Sequence, residues 1–141
     1  MTTVNVYLSF DGSCEEAFNF YKSVFGGEFV ALARYSEMPN PPYPPVSNAE
    51  KDKILHVCLP ISKETALMGA DMTHQPLVAG NNFSITITPS SEEETRRIFE
   101  ALSVGGTVVT PLEKTFWGSL FGMFTDKFGI NWMVDYALKQ D

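Results

Sequence analysis

Val4-Asn5-Val6-Tyr7-Leu8-Ser9-Phe10-Asp11-Gly12-Ser13 reads as an alternating strand followed by a turn and a helix start. Val4, Val6, Leu8 and Phe10 share one face, while Asn5, Tyr7 and Ser9 carry polar atoms on the other. Period-two alternation of this kind predicts a strand with one buried side. Ser13 with Glu16 has the spacing of a capping box, and Ala17, Phe18, Tyr21, Val24 and Phe25 then recur at helical spacing. Gly26-Gly27 stops that helix, and Phe29 to Tyr35 is extended again.

The same order of signals returns in the second half. Asn82 to Thr88 alternates, with Phe83, Ile85 and Ile87 on one face and Asn82, Ser84, Thr86 and Thr88 on the other. Ser91 and Glu94 form a second capping-box pattern, Ile98, Phe99 and Leu102 carry a helix, Gly105-Gly106 closes it, and Thr107 to Thr110 is extended. The glycine pairs stand 79 residues apart, and at that offset Val6 meets Ile85, Leu8 meets Ile87, Glu15 meets Glu94 and Phe20 meets Phe99. A repeat of this period marks two copies of one supersecondary unit. Each copy ends in a hairpin: Leu55–Pro60 with Thr65–Ala70, and Trp117–Thr125 with Asn131–Tyr136. The predicted fold class is α+β, tandem βαβββ modules forming an eight-stranded open half-barrel with a cleft. Residues 1–141 make one domain of two modules, about 1–75 and 76–141. Between Ser36 and Lys53 lie Pro39, Pro41, Pro42, Pro44 and Pro45, a stiff stretch that reads either as a solvated connector or as a lid.

Composition narrows the class of protein without naming a chemistry. The chain has 141 residues, 44% of them hydrophobic, the size of one domain with an ample core. Seventeen acids against ten bases leave a net charge of −7, a field that repels phosphate backbones and anionic lipid, so the expectation is no nucleic-acid and no membrane partner. Two cysteines are too few for a disulfide framework and point to a reducing compartment. The first residues lack a basic segment leading into an apolar run, and no stretch approaches the ~20 apolar residues of a membrane helix, so the expected location is cytoplasmic. Neither glycine pair belongs to a phosphate loop or dinucleotide fingerprint.

The polar strand faces hold the candidate site. Tyr7, Ser9, Asn82 and Ser84 sit on them, as do His56 and Cys58, which share a face opposite Leu55, Val57 and Leu59. On the last strand Asn131, Met133 and Asp135 oppose Trp132, Val134 and Tyr136. A curved sheet with such a concave side encloses a semi-polar pocket; the other reading is a face turned to solvent or to a partner chain. Trp117, Phe116, Phe121 and Phe124 supply aromatic surface for either a cleft or a core. His56 reads as a hydrogen-bonded structural histidine, or else as a general base or single metal ligand. Cys58 is an inert half-hydrophobe unless its thiol is acidified, and His74 reads as a solvated loop residue. Glu15, Glu16 and Glu92 to Glu94 answer the dipoles of their helices.

Five sequence words in order sharpen the picture: Tyr7–Gly12, Glu16–Tyr21, Lys51–His56, Leu67–Asp71 and Asp126–Trp132. From about residue 4 to 136 the chain resembles the PhnB-like branch of the vicinal oxygen chelate superfamily, the group of glyoxalases, fosfomycin-resistance and bleomycin-resistance proteins. The resemblance implies a pair of half-barrels forming one cleft, commonly in a homodimer. It also implies a divalent cation held by His or Glu on the first strand of a module and on the last strand. Those positions fall here on Tyr7, Asn82 and Met133, all poor ligands for Mg, Mn or Zn, with His56 the one remaining candidate. The expectation is therefore a binder of a small organic ligand in a dimeric cleft, without the family metal and without another cofactor. The alternative is a divalent-metal-dependent lyase, isomerase or transferase with atypical ligands that include His56.

Overall fold

A computed structural model describes residues 2–37, 49–73 and 75–138. The proline-rich stretch from 38 to 48 and His74 lie outside the described residues, and with them the lid reading. The chain divides into two compact units, Met1–Val78 and Ala79–Asp141.

In the first unit β1 (Val6–Phe10), α1 (Cys14–Phe25), β2 (Ala31–Arg34), a short 3-10 turn (Tyr35–Glu37), β3 (Ile54–Pro60) and β4 (Ala66–Asp71) follow in chain order. The sheet runs β1-β4-β3-β2, with β1 parallel to β4 and the other pairs antiparallel. Leu8 and Phe10 of β1, Val57 and Leu59 of β3 and Leu67 of β4 are buried under Ala17, Phe18, Tyr21 and Val24 of α1. Each such large apolar side chain contributes about 1.5–3 kcal/mol when fully buried. Gly69 of β4 shows how closely the helix approaches: a Cβ there would lie 2.7 Å from Phe18 Cε1 and 2.8 Å from the Leu8 carbonyl oxygen. Only glycine leaves room for the Phe18 ring, which meets Phe10 and Tyr21 edge-on.

The second unit repeats the plan with β5 (Ile85–Ile87), α2 (Glu92–Ser103), β6 (Thr107–Lys114), β7 (Ser119–Thr125) and β8 (Asn131–Ala137), ordered β5-β8-β7-β6. Ile98, Phe99 and Leu102 of α2 cover Leu120, Phe124, Trp132 and Val134. Gly122 plays the part of Gly69, since a Cβ there would lie 2.6 Å from Phe99 Cε2. The expected βαβββ order therefore stands twice, with eight strands in two mixed four-stranded sheets.

Two local expectations are corrected. Ser13 makes no side-chain cap on α1; Asp71, at the end of β4, takes that role, its Oδ1 accepting from the Gly12 and Cys14 amides at 2.8 and 3.0 Å. The reason is reach: a buried carboxylate held by the sheet meets two helix-start amides with one oxygen, while Oδ2 accepts from Ile54 N at 2.9 Å. Ser91 does cap α2, its Oγ accepting from Glu94 N at 3.0 Å. The second correction concerns β5, which is three residues long. Asn82, Phe83 and Ser84 precede it, and Phe83 is exposed. Alternation there continues beyond the residues that find a partner, because only Ile85, Thr86 and Ile87 pair with β8.

Candidate functional site

Each helix covers one side of its sheet and leaves the other side, the open face, free of that helix, so the site candidates separate by strand parity. In the first unit Gly69 and Leu67 face α1, so Met68, Ala66 and Ala70 face away from it. Register carries the same sidedness across the sheet: Tyr7 opposes Met68, Met68 opposes Cys58, and Cys58 opposes Ala31. Tyr7, Ser9, His56 and Cys58 therefore lie together on the open face, around a floor of small alanines. Tyr7 is half exposed, and its ring stacks with that of His56 at a centroid distance of 5.9 Å and 23° between planes. Its hydroxyl lies 3.4 Å from Nδ1, and it donates there when the imidazole carries its proton on Nε2. The pair presents a hydrogen-bonding phenol and an imidazole edge toward whatever occupies that face.

In the second unit Asp126 organises the open face indirectly. Its Oδ1 accepts from Phe128 N and Ile130 N, and its Oδ2 accepts from the indole Nε1 of buried Trp132 at 2.9 Å. Fixing Trp132 inward fixes Met133 and Asp135 outward by the pleat. Met133 opposes Thr86 on β5 and Met123 on β7, and Thr86 Oγ1 lies 3.8 Å from the Met133 sulfur. Thr86, not Asn82, is thus the counterpart of Tyr7: β1 pairs Tyr7 with Met68 as β5 pairs Thr86 with Met133. The 79-residue offset already carried that signal. Asn82 and Ser84 sit in the segment before β5.

The aromatic candidates divide. Phe124 is buried against Phe99 of α2, rings edge-on at 5.1 Å, so it belongs to the core and not to the open face. Trp117 lies in the turn between β6 and β7, more than half exposed, with its ring 6.1 Å from Phe121 and 5.1 Å from the fully exposed Phe116. On the helix side of the same sheet, Glu92, Lys114, Tyr136 and Leu138 line a cavity of about 370 Å³.

Electrostatics leave one thiol out of account. Burial drives the Cys14 thiol far above its usual range, with the negative charges of Asp71 and Glu15 adding to the shift, so it stays protonated and unreactive. Glu15 is held below the ordinary carboxylate range by its hydrogen bonds from Arg34, at 3.0 and 2.6 Å. No helix among the described residues is long and apolar enough to cross a membrane.

The chain has relatives of known sequence and structure. A family model described as 3-demethylubiquinone-9 3-methyltransferase matches residues 2–135. The crystal structure of protein PA1353 from Pseudomonas aeruginosa is 37% identical, with a TM-score of 0.87 over 99% of this chain and 100% of that one. A Bacillus cereus PhnB protein, described as a putative 3-demethylubiquinone-9 3-methyltransferase, is 27% identical with a TM-score of 0.76 over 96% and 100%. A glyoxylase/bleomycin resistance protein/dioxygenase domain from Frankia shares the fold at 10% identity, with a TM-score of 0.66 over 100% and 95%.

Proposed function

This chain belongs to the 3-demethylubiquinone-9 3-methyltransferase family, in the PhnB-like branch of the vicinal oxygen chelate superfamily, and from that premise we propose that it binds a small organic ligand without the metal chelate. The observation that supports this reading is the donor set on the paired first and last strands of the two units: Tyr7 with Met68, and Thr86 with Met133. Neither pair, a phenol beside a thioether in the first unit or a hydroxyl beside a thioether in the second, fits a hard divalent cation, which takes carboxylate, imidazole or water oxygen. His56 and Cys58 add one imidazole and one thiol on a single strand face, short of the three protein ligands of a catalytic zinc. Each open face by itself instead suits an organic molecule: that of the first unit offers hydrogen bonds from Tyr7 and His56 and apolar contact from Met68 and alanines, and that of the second offers apolar contact from Met133, Met123 and Phe121. The protein works as a homodimer in the cytoplasm on this reading.

Calorimetric titration with Mg, Mn, Ni and Zn tests it, using the wild type and His56→Ala. The expected result is no stoichiometric binding of any of the four. Tight binding at one ion per chain, abolished in His56→Ala, overturns the proposal in favour of a metal-dependent enzyme. Sedimentation at micromolar concentration tests the dimer, a monomer being the adverse result.

A further inference from the structure

We infer that the open face of the second unit holds an organic cation, an ammonium or guanidinium group anchored by Asp135 beside the rings of Phe121 and Trp117. The inference rests on the reading of the protein as a small-molecule binder and names the class of ligand. Its starting point is Asp135, a partly exposed residue whose Oδ1 is screened from solvent in the free protein and meets no hydrogen-bond donor among the described residues. A buried acceptor left unmade costs about 1–3 kcal/mol, and more for a carboxylate, so folds rarely keep one without a use. Nothing in the sheet needs it: Asp135 pairs across β7 with Phe121 in regular register, and its backbone serves the ladder.

The surroundings select the sign and shape of the missing partner. Phe121 lies between Asp135 on β8 and Glu113 on β6, so two carboxylates flank one ring in a row across three strands. None of the ion pairs among the described residues involves either acid. Lys114, next to Glu113 in the chain, pairs with Leu120 and lines the cavity on the helix side. The Trp117 ring sits 6.1 Å from that of Phe121 and is exposed. Ring faces attract a cation through their quadrupole, carboxylates attract it by charge, and the orphaned oxygen requires an N–H donor in place of a bare quaternary ammonium. The net charge of −7 draws such a ligand from a distance.

Benzylammonium, with benzyl alcohol as its neutral analogue, tests the inference in NMR titrations that follow the Trp117 indole and the Met133 and Met123 methyls. Benzylammonium is expected to shift these signals saturably, benzyl alcohol to bind at least about tenfold more weakly, and Asp135→Asn to bring the two compounds level. Free Asp135→Asn is expected to melt no lower than the wild type, because the carboxylate has no structural partner to lose. Equal binding of the two compounds, unchanged benzylammonium binding by Asp135→Asn, or no saturable shift with benzylammonium each overturns the cation class. So does a lowered Tm in free Asp135→Asn, or dissociation of a dimer by that substitution, since either gives the carboxylate a partner within the protein. The small-molecule reading falls separately, and only if a mixed set of neutral, anionic and cationic compounds also leaves the open-face signals of both units unmoved.

Discussion

Asp71→Asn is expected to damage the first unit far more than loss of the serine that precedes its helix. Asp71 is buried, and its carboxylate accepts three backbone N–H groups: Gly12 at 2.8 Å, Cys14 at 3.0 Å and Ile54 at 2.9 Å. Hydrogen bonds to a charged group contribute about 1.5–3 kcal/mol each. An asparagine amide keeps one carbonyl oxygen for Gly12 and Cys14 but turns an NH2 toward Ile54 N, setting donor against donor. The loss of one charged bond, with weakening of the other two, comes to about 2–3 kcal/mol. In a chain of this size that is roughly 8–12 °C in Tm. Ser13→Ala, by contrast, removes no side-chain cap and is expected within about 0.5 kcal/mol of the wild type, while Ser91→Ala costs about 1 kcal/mol through its bond from Glu94 N. Urea denaturation of the three variants measures the order, and amide hydrogen exchange at Gly12, Cys14 and Ile54 localises the effect of Asp71→Asn. A Ser13→Ala cost equal to that of Ser91→Ala refutes the argument that the sheet caps α1. Unchanged exchange at the three amides in Asp71→Asn refutes it equally.

Gly69→Ala is expected to destabilise by about 1–3 kcal/mol, because the new methyl meets both the Phe18 ring and the fixed Leu8 carbonyl; a neutral result by urea melt contradicts the close approach of α1. With Ellman's reagent at mild alkaline pH, Cys14 is expected to stay unmodified in the folded protein and to react once denaturant is added. Native-state labelling at Cys14, read by peptide mass, rules out the buried protonated thiol. Arg34 lowers the folded-state pKa of Glu15, so the stabilisation from this pair is full above the ordinary glutamate value of about 4.3 and is lost as pH falls through the lower folded value. The stability gap between wild type and Arg34→Gln, measured by urea denaturation, is therefore expected to be under about 1 kcal/mol at pH 6, the pair being partly exposed, and to close toward pH 3; a gap that widens in acid contradicts the pairing.

Local chemistry was legible in the chain from the start. The alternation around Tyr7 and Leu8 needs only neighbouring residues to show which side meets the helix, and the Ser91–Glu94 cap spans three positions. Both helices, both hairpins and the order β-α-β-β-β follow from such short-range patterns, as does the placement of His56 and Cys58 on one strand face. Other features depend on which strands meet. Asp71 caps a helix that begins 57 residues before it, a pairing that no spacing rule reaches. Thr86 replaces Asn82 beside Met133 because β5 pairs with β8 only from Ile85 to Ile87, and alternation alone does not say where pairing begins. Phe124 and Phe121 are alike as residues, and it is the helix that turns one into core and leaves the other beside Asp135. The unmatched oxygen of Asp135 belongs wholly to this second kind: a carboxylate becomes an orphan only when its neighbours have excluded water and offered no donor, and that is a property of packing.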